Sequence, residues 1–283
     1  MKVTVLLENT SMYCKYYTAE HGFSAWIEDE DVKVLLDCGY SDNFIKNAEK
    51  MGIDLRLADY VVISHGHWDH AGGLKYLMKY YDEKAIARKP ILLYTSDDIF
   101  LKRYEFRWNK SLGMDVTKEK LQRYFDVRVT PEPLWLTKNL CYMGLTERSN
   151  DFEHISPQSS KQLRNGVWCD DCVDEDTQIC YRHKNGEEVS VFATCAHWGI
   201  CNIMEYAKKL TGAKQINTYL GGSHLRIDEV KQSQVDKTAE YVKSQNIKNF
   251  YIFHDTDLHC KLALWNACPG RKEGGVGLKL ILD

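Results

Sequence analysis

The sequence predicts a mixed α/β fold: one domain over residues 1–283, with two mixed β-sheets packed together and helices outside them. Strand-like and amphipathic helical segments alternate along the whole chain. The order of strands, a ligand-bearing loop and a mixed β/α run recurs in the second half, and no linker, low-complexity tract or close repeat separates the halves. At 283 residues the chain is long enough to bury a substantial core.

Val3 to Leu7 reads as the first strand. Phe23 to Ile27 and Val32 to Leu36 form a hairpin around the charged turn Glu28-Asp29-Glu30-Asp31. Ser41 to Met51 is a helix, with Ser41 as N-cap, Phe44, Ile45 and Ala48 on one face, and Gly52 as its stop. A short strand from Asp59 to Ile63 enters a histidine-rich loop, and Gly72-Gly73 leads into a helix from Leu74 to about Tyr81. Ile91 to Tyr94 is the next strand. The aromatic and basic stretch holding Arg103, Tyr104, Phe106, Arg107, Trp108 and Lys110 is expected to be an insertion, at about 100–135, packed over the core. Strands follow at Leu140 to Gly144, Gln178 to Arg182 and Val189 to Thr194. After them come a helix from about Cys201 to Leu210, a strand Gln215 to Leu220, a helix Asp228 to Gln245 and a strand Asn249 to Phe253. A helix Leu258 to Ala267 and a strand Gly277 to Leu282 close the chain.

Composition removes several function classes. A formal charge of −3 gives no case for nucleic acid as a partner. The longest apolar runs, Tyr60 to Ile63 and Tyr251 to Phe253, are far too short to span a bilayer, so no membrane partner is expected. Met1-Lys2 leads straight into the first strand rather than into an export signal. The ten cysteines then read as reduced thiols of a cytoplasmic protein, with Cys38, Cys195 and Cys201 in apolar or motif contexts that suit small buried side chains. Cys169-Asp170-Asp171-Cys172 is a weak knuckle, because only Cys180 and His183 offer to complete it, and a loop with free thiols is expected. A small-molecule substrate is the expected partner, and the oligomeric state is left unassigned.

The chemistry concentrates in His65-Gly66-His67-Trp68-Asp69-His70. Imidazole and carboxylate are the ligands that hold zinc, iron or manganese. Alternation along an extended loop lets His65 and His67 point the same way, while Asp69 and His70 turn toward a neighbouring position. That is a layout for two adjacent cations. A single histidine is more often a satisfied polar side chain, but four ligand-type groups in one turn are hard to explain that way. The remaining ligands are sought at strand ends, where rigid scaffolds present functional groups. His197, His224 and His254 all sit there, and His259 rivals His254 but would fall inside the following helix.

His-x-His-x-Asp-His after a strand resembles the signature of the metallo-β-lactamase superfamily. The resemblance extends to Leu7-Glu8-Asn9, Glu20 to Ser24, Leu36 to Gly39, Ser64 to Leu74, Asp151-Phe152-Glu153 with Asp174-Glu175, Thr194 to Ile203, Gly221 to Leu225 and His254-Asp255-Thr256. The double-glycine-His segment and Cys-x-His-x-Gly-Ile-x-Asn resemble a subgroup of metal-dependent hydrolases, some named dihydropterin-methyl-ribofuranosylaminobenzene-phosphate synthases. The resemblance implies a four-layer αββα sandwich with metals at one edge of the two sheets. It implies that His65, His67 and His197 bind one ion, that Asp69, His70 and His254 bind the other, and that Asp37 orients the histidine loop by hydrogen bonds. Two features depart from the pattern. The bridging aspartate expected after Gln215 to Leu220 is replaced by Gly221-Gly222, and the subgroup's His-Cys-Thr-Gly reads His254-Asp255-Thr256-Asp257.

The expected function is therefore hydrolysis by a metal-bound hydroxide, with two divalent ions, zinc first and manganese or iron as alternatives. Asp69 would orient the nucleophile and take its proton. His224 would donate a proton or hold substrate, unless it only caps a turn. The subgroup name points toward a phosphorylated, pterin-like or ribosyl substrate, for which Arg148 offers a guanidinium, although a surface pair with Glu147 or Asp151 is preferred for it. The aromatics Tyr104 to Trp108 could stack on a flat ring, with core packing the commoner fate. Two other classes compete: an iron-type oxidoreductase on the same scaffold, and a metal-binding sensor whose second site is degenerate.

Overall fold

The computed structural model describes residues 1–153 and 160–283. The chain groups into two compact units, one of Met1–Pro131, Ser159–Glu175 and Gly275–Leu282, the other of Glu132–Gln158, Asp176–Gly274 and Asp283.

The first unit carries a seven-stranded sheet in the order Lys279–Ile281, Lys2–Leu7, Ser24–Asp29, Val32–Leu36, Tyr60–Val62, Ile91–Tyr94, Asp126–Val129. Pairing is antiparallel as far as the hairpin Ser24–Asp29/Val32–Leu36 and parallel beyond it. Parallel neighbours need crossovers, and the helices Asn43–Lys50 and Leu74–Lys84 supply the first two of the three. Val34, Leu35, Leu36, Val61 and Val62 are all fully buried, as strands covered on both faces require. The helix Asn43–Lys50 seats Phe44, Ile45 and Ala48 in the core; it starts later than expected, with Asp42 rather than Ser41 at its N-cap, because the Ser41 hydroxyl accepts from Asn43 N at 3.1 Å in a turn just ahead of it.

The expected insertion at about 100–135 is not one packed block. Lys102–Glu105 and Lys110–Ser111 join a small sheet with Ser160–Arg164 and Val167–Asp170, whereas Asp126–Val129 is the edge of the large sheet. Along Lys102–Glu105 alternate side chains face opposite ways, so Arg103 and Glu105 are buried while Lys102 is exposed. Phe106 and Trp108, expected in the core, are each 55% exposed. The hairpin through Ser160–Arg164 and Val167–Asp170 had no sequence forecast, because the single apolar pair Leu163–Trp168 is too short for a period to reveal. It places Cys169 on a strand rather than in a loop, and none of the ten cysteines, all among the described residues, forms a disulfide.

The second unit holds a six-stranded sheet ordered Asn249–Ile252, Gln215–Gly221, Glu188–Phe192, Ile179–Arg182, Leu140–Tyr142, Leu134–Trp135. The first three strands are parallel and the others antiparallel. The helix Ile200–Thr211 buries Ile200, Ile203, Met204 and Ala207 and stops at Gly212 (φ 71°). Burial of each of the larger apolar side chains stabilises the unit by about 1.5–3 kcal/mol relative to exposure. The helix Gln232–Ser244 packs on Leu258–Ala267. It starts later than the Asp228 expected, because Ile227 N donates to the Asp257 carboxylate at 2.6 Å and Arg226 pairs with Glu229, which ties the preceding residues into a separate turn. Among the described residues no helix is long and apolar enough to cross a membrane.

Candidate metal centre

The histidine loop belongs to the first unit. The backbone stays extended through His67 (φ −71°, ψ 147°) and then coils into the short helix Trp68–Ala71. This change of conformation gathers the rings. His65 lies 4.7 Å from His67 and 4.3 Å from His70 between ring centroids. His65, Asp69 and His70 are buried. Asp69 Oδ2 sits 3.7 Å from His70 Nε2 and 3.0 Å from His21 Nε2, so His21, which the sequence did not single out as a site residue, steadies the carboxylate.

Asp37 holds the loop from behind. It ends the strand Val32–Leu36 at φ 55°, a conformation costly for a residue with a Cβ. Its Oδ1 accepts from Ser64 N at 2.8 Å, and its Oδ2 accepts from Ser64 Oγ and from His70 Nδ1, both at 2.7 Å. Ser64 has one hydroxyl hydrogen and gives it to Asp37, so its oxygen accepts from His65 Nδ1 at 2.8 Å. Both rings are thereby held in the tautomer that leaves Nε2 unprotonated and able to serve as a ligand atom. The orienting role expected for Asp37 matches this geometry.

His67 is held by a device that the sequence did not disclose. Its Nε2 donates to Asp171 Oδ2 at 2.9 Å. Asp171 Oδ1 accepts from Arg103 Nε at 3.0 Å, Arg103 also donates to Glu175, and Glu175 accepts from Gly66 N at 3.2 Å. Arg103, Asp171 and Glu175 are 1–2% exposed, so the guanidinium neutralises carboxylates that could not be buried alone. Burial works against ionisation of Asp171, but the His67 ring and the Arg103 guanidinium outweigh it and hold the carboxyl below its ordinary range. Gly66 must be glycine, since a Cβ there would meet Ile99 O at 2.2 Å and the Arg103 guanidinium at 2.3 Å.

The second unit presents its residues at the ends of three parallel strands. His197 follows Glu188–Phe192, His224 follows Gln215–Gly221, and His254 follows Asn249–Ile252. These ends approach so closely that a Cβ on Gly221 would lie 1.8 Å from Ala193 O, and one on Gly222 would lie 2.2 Å from His254 O. The position expected to carry a bridging aspartate has no space for a side chain. Backbone strain accumulates here, with Ala196, His224 and Asp255 at φ 65°, 47° and 46°. His224 Nδ1 is paired with Asp255 Oδ2 at 2.5 Å, and its ring centroid is 4.1 Å from that of His197. Burial opposes ionisation of Asp255, yet His224, His254 and Arg226 together keep its carboxyl well below the usual range. Cys195 Sγ lies 3.6 Å from His254 Nε2. Glu153 accepts from Cys201 N and Asn202 N at 2.9 and 2.8 Å, tying down the start of the helix that follows His197.

Other candidates separate from these groups. His259 bonds Gln232 on an exposed helix face, and His183 is held by Asp283 and Ser190. Cys180 is buried in the strand Ile179–Arg182. Arg148 does not form the surface pair preferred for it: its guanidinium stacks 4.5 Å from the Trp198 ring, and Glu147 pairs with Lys209.

A family model described as the metallo-beta-lactamase superfamily matches residues 17–136. An uncharacterized protein of Methanocaldococcus jannaschii is 31% identical over 261 residues, covering 91% of this chain and 90% of that protein. The chain belongs to the metallo-β-lactamase superfamily. A 7,8-dihydropterin-6-methyl-4-(beta-D-ribofuranosyl)-aminobenzene-5'-phosphate synthase of the same organism is 25% identical over 271 residues, covering 90% of this chain and 87% of that one. The crystal structure of Tm1679, described as a metal-dependent hydrolase of the beta-lactamase superfamily, superposes with a TM-score of 0.79 at 26% identity, covering 100% of both chains. The mixed α/β fold expected from sequence is thus the metallo-β-lactamase fold.

Membership of the metallo-β-lactamase superfamily implies divalent metal binding. The donor chemistry fits, because oriented imidazoles, a buried carboxylate and a thiol are the groups that hold such ions.

Proposed function

We propose that this metallo-β-lactamase-superfamily chain is a metal-dependent hydrolase with a binuclear centre, zinc being the first choice, and that it acts on a phosphorylated small molecule with pterin-like or ribosyl character. The observation that carries the reading is the fixed tautomer of the loop histidines, imposed by Asp37 on His65 and His70 and by Asp171 on His67. Buried carboxylates spent on aiming rings are hard to account for without an ion to aim at. The ligand assignment follows the sequence: His65, His67 and His197 for one ion, Asp69, His70 and His254 for the other.

Bound divalent cations supply Lewis acidity and bring the pKa of a water toward about 7. Asp69, steadied by His21, would orient that water and take its proton. His224, backed by Asp255, would hand a proton to the leaving oxygen from Nε2. Arg148, placed over the Trp198 ring next to His197 in sequence, would grip a phosphate with its planar guanidinium. The phosphorylated substrate class is supported by that arginine and by the name of the 25% identical synthase.

Metal analysis with a hydrolase panel of phosphate esters, thioesters and lactones tests the reading. About two zinc or manganese ions per chain and turnover of a phosphate ester are expected. His67→Ala should lose metal and activity together. Absence of metal from wild-type protein reconstituted with zinc would overturn the proposal.

A further inference from the structure

The strand-end cluster of the second unit contains a thiol that the ligand assignment leaves unused. Cys195 lies two residues before His197 and is 2% exposed. Its Sγ faces His254 Nε2 at 3.6 Å and Asp255 Oδ2 at 3.7 Å. Cys195, His197 and His224 each offer a ligand atom within 4.8 Å of the others. The neighbouring strand end, where the superfamily resemblance calls for a carboxylate, can carry none, because Gly221 and Gly222 are pressed against Ala193 O and His254 O.

We propose that Cys195 is a metal ligand of this chain, and that its thiolate supplies, from the end of strand Glu188–Phe192, the anionic ligand that Gly221-Gly222 cannot supply. The proposal rests on the metal-centre reading above and extends it. Geometry carries it. In a tetrahedral site with a metal–sulfur distance of about 2.3 Å and a metal–nitrogen distance of about 2.05 Å, sulfur and nitrogen are separated by about 3.6 Å. Cys195 Sγ and His254 Nε2 stand at that separation, and Nε2 is a ring nitrogen able to bind an ion. A thiol that served only to fill space would have no reason to face the two polar groups that end strand Asn249–Ile252. On binding, the sulfur loses its proton to solvent as the sulfur–metal bond forms, so the thiol releases one proton per chain. The ligand class follows from softness: a sulfur donor favours zinc or cobalt over manganese, whereas an oxygen donor in its place would narrow that preference.

Cobalt(II) substitution of the full-length protein tests this independently of turnover. Apoprotein titrated with cobalt should develop a near-ultraviolet sulfur-to-cobalt charge-transfer band beside the visible ligand-field bands. Cys195→Ser should lose the charge-transfer band. Cys195→Asp should lose it while still binding cobalt, and its preference should move toward manganese. Cys169→Ser, altering an exposed thiol away from the cluster, should keep the band and so exclude stray binding at the Cys-x-x-Cys segment. Cobalt bound with ligand-field bands but no charge-transfer band in wild type, or a band that survives Cys195→Asp, would overturn the Cys195 assignment and leave the metal centre standing. Absence of any bound cobalt in wild type by elemental analysis would overturn both.

Discussion

The two units prepare their ligands by different physics. In the first, side chains do the orienting: each loop histidine leans on an oxygen atom that is itself anchored, through Ser64 to Asp37 for His65, through Asp37 for His70, and through Asp171 and Arg103 for His67. In the second, the backbone does most of it, with only His224 leaning on a carboxylate, that of Asp255. Three strand ends converge on two glycines with no room for a Cβ, and three residues with side chains adopt left-handed φ around them. The first arrangement stores most of its cost in buried charge, with strain at Asp37 alone beside it, and the second stores more in backbone strain, with the His224–Asp255 pair beside it. They should therefore fail under different perturbations.

The largest effect is expected at Arg103. Arg103→Met leaves Asp171 and Glu175 buried without their cation, and breaking a buried pair in this way costs about 3–5 kcal/mol. The urea midpoint should fall accordingly, and metal affinity should fall with it because His67 loses its anchored partner. A midpoint unchanged from wild type would show that the guanidinium neutralises nothing that matters. Gly221→Ala tests the other mode. It combines a positive φ of 144° with a Cβ aimed at Ala193 O, and strain with overpacking of this kind costs about 2–4 kcal/mol. Its signature should be loss of stability at every pH alike, since no titrating group is removed.

These two devices were unequally legible in the sequence. The hexapeptide announced itself because its ligand types are contiguous, and the strand ends because apolar runs such as Val189 to Thr194 stop just before His197. Elements whose pattern and punctuation agree, such as Ile91–Tyr94 and Leu258–Ala267, have the bounds the sequence predicts. Arg103 could not be read that way. Its partners lie 68 and 72 residues away, and a basic residue among aromatics reads as surface until the small sheet turns it inward. Gly221-Gly222 was visible as a departure, but its meaning was not: it reads as a missing ligand until the strand ends show that the space belongs to backbone oxygens. Trp198 and Arg148 are 50 positions apart, so their stacking too is a product of the fold alone.

The smallest of the expected effects separates the two modes by pH. Asp171 keeps its carboxyl below the ordinary value of 3.8, despite burial, through His67 and Arg103. The unfolded chain therefore binds the proton more readily than the folded one. The stabilisation is present above the unfolded value and drains away as pH falls through the folded value. Asp171→Asn removes that linkage along with a charged hydrogen bond, at a cost of about 1.5–3 kcal/mol near neutrality. The difference between wild type and variant, followed by urea midpoints of metal-free protein from neutral pH downward, should shrink as the solution becomes acidic. For Gly221→Ala the same difference should stay flat. A flat profile for Asp171→Asn as well would mean that His67 is held by packing, and that the contrast between charge in one unit and strain in the other is misplaced.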